Sequence, residues 1–166
     1  QGLLDFLPNL QLLGGSVLLS PIYQTNGLIT RLDLAGATLL GSNRVSGVLN
    51  WNSGVVSGSV VVSSNAVLNW SGGQVVTSGS LTVESNGVAH LLTGGEKYLD
   101  GPMTNAGAVL WTGGTINVRN NNAGYLGSVV NLGLWQMQGD LTLNHWFDTG
   151  FETFINGGTF RKNSGA

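Results

Sequence analysis

Cysteine is absent from the chain, which leaves it no disulfide framework and no thiolate chemistry. Charge is scarce too. Only 8% of the residues are charged, against about a quarter in ordinary domains. The six Lys and Arg residues form no basic stripe, which argues against nucleic acid as a partner. No apolar run approaches the ~18 residues of a membrane-spanning helix. No initiator Met and no signal peptide open the chain, so the start at Gln1 predicts a processed product or a segment of something larger. A formal net charge of −2 offers little repulsion against self-association.

What is present is a 42% share of apolar residues, 27 glycines and abundant Asn and Ser. That is not the charged, apolar-poor recipe of a disordered chain. The 166 residues suffice for one domain with a sizeable core. They also repeat themselves. LNWNSG (Leu49 to Gly54) returns as LNWSGG (Leu68 to Gly73), as LLTGG (Leu91 to Gly95) and as LWTGG (Leu110 to Gly114). Asn65, Asn86, Asn105, Asn131 and Asn156 open the successive units, 21, 19, 26 and 25 residues apart. The period is about twenty, with insertions in the later units.

Between these phrases lie short alternating runs, such as SVVVS from Ser59, SLTVE from Ser80 and DLTLN from Asp140, which read as strands. Only Leu3 to Leu13 carries a hint of helical spacing, and Pro8 and Gly14-Gly15 hold it to about two turns. A propeller blade needs about forty residues, and a sandwich has no use for near-identical phrases. The remaining solution is all-β: a parallel β-helix, or solenoid, of six or seven coils, expected to be right-handed. Equivalent residues then stack at the ordinary strand spacing, about 4.8 Å.

Stacking predicts columns. Trp51, Trp70, Leu92 and Trp111, followed by Met137, are expected to form an inward apolar column. Asn65, Asn86, Asn105 and Asn131 are expected to form a second, at a bend where Asn tolerates left-handed backbone and amides bond along the axis. Paired glycines free the backbone for the corners. The same alignment sets Asp100 beside Arg119 as an outward pair, Glu84 between Ser63 and Met103, and Lys97 in an apolar column with Ile116 and Leu141, its amine snorkelling to the coil edge.

The stretch from Gly27 to Trp51, GLITRLDLAGATLLGSNRVSGVLNW, resembles repeats of large bacterial secreted or surface proteins. EKYLDG from Glu96, TNAG from Thr104 and FINGGTFRKNSG from Phe154 are similar to further phrases of those arrays. The resemblance runs from Gly27 to the C-terminus. It implies a right-handed β-helix module of an extracellular or cell-surface chain, related loosely to autotransporter passengers and filamentous adhesins, and it brings no catalytic residues. It sets a boundary between a lead-in of residues 1–26 and a repeat domain of 27–166.

Chemistry is sparse. The acids are scattered, so no carboxylate pair stands out for acid–base work and no enzyme is expected. The two histidines have no metal-ligand spacing, and the Gly-rich phrases lack the GK[ST] of a phosphate loop, so no metal or cofactor is expected. The most suggestive cluster is His145-Trp146-Phe147-Asp148, which reads as a loop packing its aromatics, or as a sugar platform together with Tyr98 or Tyr23. The expected role is structural: a rigid spacer or adhesin-like interaction surface, with a carbohydrate-binding or glycan-cleaving module as the alternative. Leu3, Leu4, Phe6, Leu7, Leu10, Leu12 and Leu13 suit an N-terminal cap on the first coil. The last coil has no such segment and is expected to be continued by the rest of a longer polypeptide or by another chain.

Overall fold

The computed structural model describes residues 9–26 and 29–165. It is an all-β parallel solenoid of about seven turns, and every ladder between its strands is parallel. Each coil has three faces. The first face runs through Asn9–Leu12, then 31–34 and 48–51 of the long strands Arg31–Val45 and Val48–Val62. It continues through Val67–Trp70, Val88–Leu91, Ala108–Trp111, Leu134–Gln138 and Thr159–Ser164. The second face stacks Ser16–Leu18, 38–40, 55–57, Gly73–Val75, Lys97–Leu99, Ile116–Val118 and Leu143–His145. The third stacks 42–45, 59–62, Ser80–Val83, Pro102–Asn105, Ser128–Asn131 and Thr153–Asn156.

Alternation along each strand builds the core. In Val67–Trp70, Val88–Leu91 and Ala108–Trp111 every second residue is buried, which is the two-residue pleat of a strand with one face inward. Trp51, Trp70 and Trp111 are buried in one inward column that runs Leu12, Leu34, Trp51, Trp70, Leu91, Trp111, Met137, Lys162. The indoles of Trp51 and Trp70 stack with centroids 4.7 Å apart and planes 6° from parallel. Toward the C-terminal end, Trp111, Trp135, Phe154 and Phe160 meet edge to face instead.

The member between Trp70 and Trp111 is Leu91, not Leu92. The corner after Leu91 is longer than the corner after Trp70, so aligning the phrases on their glycine pairs displaces the residue by one. The extra length brings Lys97 opposite Gly73 on one side and Ile116 on the other, with Leu143, not Leu141, beyond. Lys97 does not snorkel outward. It is fully buried, and its ammonium donates to the backbone carbonyls of Leu92 (2.7 Å), Ser71 (3.4 Å) and Gly113 (3.4 Å). In the flanking coils the corner carbonyls are met by indole nitrogens: Trp70 Nε1 donates to Gly72 and Trp111 Nε1 to Gly113 and Gly114. The corner is close-packed. At Gly73 (φ 117°) a Cβ would stand 2.7 Å from the Gly54 carbonyl, 2.9 Å from Trp51 Cε2 and closer still to the indole Nε1, a place only Gly fills.

The Asn column divides in two. Asn65 and Asn86 sit in tight turns with φ of 64° and 63°, and the Asn65 N–H donates to the Asn86 carbonyl. Asn105, Asn131 and Asn156 are instead the last residues of third-face strands, in the inward column that Val62 and Val83 occupy earlier. Their amides form a ladder, Asn105 Nδ2 to Asn131 Oδ1 at 2.7 Å and Asn131 Nδ2 to Asn156 Oδ1 at 2.6 Å. The cause is corner length: five steps separate Val83 from Val88, and three separate Asn105 from the paired Ala108. In the same way Met103 pairs with Leu81, so it is not the neighbour of Glu84, whose carboxylate meets Arg44 at 2.8 Å. DLTLN does not join SVVV and SLTV on the third face; its strand, Leu143–His145, lies on the second.

At the N-terminal side the ladder reaches Asn9. Leu10 and Leu12 are buried within a strand that pairs in register with 31–34, so Asn9–Leu12 is a rung and not helix, and Leu13 is exposed. Leu3, Leu4, Phe6 and Leu7 lie outside the described residues. Tyr23–Asn26 is a single helical turn, and its first residue, Tyr23, is buried, which removes Tyr23 as a sugar platform.

A candidate ligand site at one corner

Coil length varies mainly at one place. Between the second and third faces the early coils need only residues 76–79 or 100–101, whereas later coils insert 119–127 and 146–152. These are the insertions that stretch the repeat. Both fall at the same corner, one above the other, and they are bonded to each other and to a coil two levels below the first. Thr149 Oγ1 donates to the Asn120 carbonyl at 2.7 Å, and Thr77 Oγ1 to the Gly124 carbonyl at 2.5 Å. Asn chemistry shapes the first loop: Asn120 and Asn121 side chains accept from the backbone N–H groups of Asn122, Ala123 and Tyr125. In the second, Glu152 accepts from the Phe147 N–H and from Thr149. Burial would raise the Glu152 pKa, but these bonds outweigh it and hold the carboxyl below its ordinary value.

Arg119 is the centre of the corner. Its guanidinium carbon lies 4.6 Å from the Tyr98 ring centroid, 5.0 Å from Tyr125 and 5.9 Å from Trp146, all within cation–π range. Its nitrogens reach both oxygens of Asp100, at 2.5 and 2.7 Å, and Gln74 Nε2 donates to the same carboxylate at 2.6 Å. The sequence pairs these charges correctly on adjacent rungs. It misplaces them in depth, because the Asp100 side chain is 3% exposed and that of Arg119 16%. The loop over them supplies the burial.

Around this pair the aromatics assemble. Tyr98 and Trp146 meet at 71° with centroids 6.1 Å apart, and Phe147 packs against Tyr125 at 5.1 Å. Trp146 is 49% exposed, whereas Trp51, Trp70, Trp111 and Trp135 are buried. The Tyr98 hydroxyl donates to the Glu96 carboxylate, which pushes the phenol pKa up. Beneath, Tyr98, Asn117 and Asn144 stack in one column, and Asn144 Nδ2 donates to Asn117 Oδ1 at 3.0 Å. Among the described residues, Asn117 Nδ2 is buried without a hydrogen-bond partner.

Tyr98, Trp146 and Phe147 therefore come together, and His145 does not join them. His145 pairs with Val118 in the inward column, so its side chain points to the open last coil, where its Nδ1 lies 2.7 Å from Asp148 Oδ1. There it lines a cavity of about 170 Å³ with Glu152 and Phe154. Sequence reasoning missed Tyr125, Arg119 and Gln74 as members of the corner. The signal was available for the first two, which lie in the earlier insertion. Among the described residues no three His, Cys, Asp or Glu side chains group in a way that would hold a metal ion.

Comparison with protein-family models, with curated proteins and with solved structures finds no match for this chain, and what the structure shows is a β-solenoid of stacked parallel coils.

Proposed function

We propose that the chain is a stiff solenoid module of a larger secreted or cell-surface bacterial protein, a spacer with an adhesin-like interaction surface at the corner between its second and third faces. The observation that carries the reading is the stacking of two insertions at that single corner, with Trp146 half exposed on them. Insertions in a repeat array collect on the face that meets partners. Eight stacked levels on the first face span roughly 34 Å at the ordinary strand spacing, a rigid arm for such a surface.

Two further features support it. Asp33, Glu84, Asp100 and Asp140 are each engaged by an Arg or Lys, which suits a scaffold better than an acid–base centre. The last strands, Leu143–His145, Thr153–Asn156 and Thr159–Ser164, pair on one side only among the described residues, an edge suited to continuing chain or another chain. The test is adhesion of protein-coated beads to bacterial and host cell surfaces. Beads carrying the wild type should attach, and beads carrying Trp146→Ala should not. Equal attachment, or none by either, refutes the interaction surface.

A further inference from the structure

Resting on the reading of this corner as an interaction surface, we infer that its ligand is a neutral glycan, with the Trp146 indole as the platform for one pyranose face and the Tyr98 ring as the adjoining wall. A large apolar ring left half exposed on a braced loop is unusual in a chain that buries its four other tryptophans. The ring is not loose. Tyr98 meets it edge-on, and the Arg119 guanidinium lies 5.9 Å from its centroid. Arg119 is itself clamped by Asp100, and Asp100 by Gln74. The exposed half of the indole is thus a pre-set flat surface, which spares a ligand the cost of ordering it.

A pyranose ring matches such a surface. Its axial C–H groups make one flat apolar face, and its hydroxyls need polar partners at the rim. The rim offers acceptors and donors in the Glu96 carboxylate, the Tyr98 hydroxyl and the Asn144 amide. The charge of the corner selects further. The Arg119 cation is already matched by Asp100, and the exposed charge left beside the rings, the Glu96 carboxylate that the Tyr98 hydroxyl meets, is acidic. Uronates and sulfated sugars are therefore repelled, and neutral hexoses or N-acetylhexosamines are not. A protein partner is disfavoured by size, because stable protein contacts bury about 800 Å² per side and most rings here pack on one another.

Intrinsic fluorescence tests this directly, since Trp146 is the exposed indole and should carry most of the quenching by acrylamide. The probes are neutral gluco-, galacto- and N-acetylglucosamine oligosaccharides, with oligogalacturonate and heparin fragments as the acidic arm, and an array of the same sugars measures affinity. A neutral oligosaccharide should protect Trp146 from acrylamide, the acidic probes should not, and Trp146→Ala should weaken binding by about tenfold or more. Trp146→Phe should keep part of the affinity, and Phe151→Ala, on the same loop, should keep all of it. The inference is overturned if no neutral sugar binds, if acidic sugars bind as well, or if Trp146→Ala binds unchanged. Bead attachment that still depends on Trp146 when no neutral sugar binds would overturn the ligand class while leaving the interaction surface standing.

Discussion

Lys97 Nζ donates to the Leu92 carbonyl at 2.7 Å, at the corner where the tryptophan column carries Leu91 in place of an indole. The coils on either side close the same corner with Trp70 and Trp111 N–H groups. An ammonium on a long stem thus replaces an indole as the donor to buried carbonyls.

The exchange makes stability depend on pH. Burial pushes the Lys97 amine down from 10.5 to about 8. Below pH 8 both folded and unfolded chains hold the proton, and the fold bears the cost of a buried cation. Between about 8 and 10.5 the unfolded chain binds more protons than the folded one, so stability rises with pH. Tyr23 acts the other way above pH ~10, because burial raises its phenol pKa and only the unfolded chain ionises there. Urea midpoints at pH 7.5 and 9.5 should therefore show the wild type gaining about 1–2 kcal/mol relative to Lys97→Met. Parallel behaviour of the two proteins over that range would remove the assignment.

Leu91 and Lys97 should also be coupled energetically. Leu91→Trp alone inserts a ring where the lysine stem lies and should cost about 1–3 kcal/mol by overpacking. Lys97→Gly alone strips the corner carbonyls of their donor and opens a cavity. The double variant places at these two rung positions the residue types that Trp70 and Gly73 hold in the preceding coil, across a longer corner. A double-mutant cycle should return a favourable coupling above about 1 kcal/mol. Additive single effects would mean that the two positions are independent.

The period, the strands and the tryptophan column were legible because stacking writes the same residues at the same rung position. Trp51 over Trp70 is a phrase repeated and a contact at once. The errors lie where corner length changes. Identical letters matched across corners of unequal length put Leu92 in the place of Leu91 and join Asn65 to Asn105. Depth was hidden for a different reason. Asp100 and Arg119 occupy outward positions, and only the packing of two insertions from separate coils buries them, a contact that no local pattern encodes.

The divided Asn column predicts opposite responses at its two kinds of site. Asn65 holds left-handed backbone, so Asn65→Gly should change stability by only a few tenths of a kcal/mol, and Asn65→Ala should cost about 1. Asn131 is fully buried, accepts from Asn105 and donates to Asn156 and to the Gly133 and Thr159 carbonyls. Asn131→Ala leaves those partners unpaired and should cost roughly 2–4 kcal/mol, with Asn131→Gly no better. Equal tolerance of Gly at both sites in urea titration would contradict the amide ladder.

The Asp100–Arg119 pair should behave as a buried ion pair although it sits at a surface corner. Arg119→Met leaves the Asp100 carboxylate 3% exposed with Gln74 as its remaining side-chain donor, and should cost about 3–5 kcal/mol. Arg44, whose guanidinium meets Glu84 on the open surface, supplies the contrast: Arg44→Met should cost about 0–1 kcal/mol, less still in high salt. Replacing both buried partners, Asp100→Leu with Arg119→Met, removes the stranded charge and should recover most of the loss. It should not restore the corner, because Tyr98, Tyr125 and Trp146 lose the cation they surround. Acrylamide quenching of Trp146 should then increase in the double variant even where its urea midpoint returns toward wild type. An Arg119→Met protein no less stable than Arg44→Met would place the pair in solvent and take away the support on which the exposed indole depends.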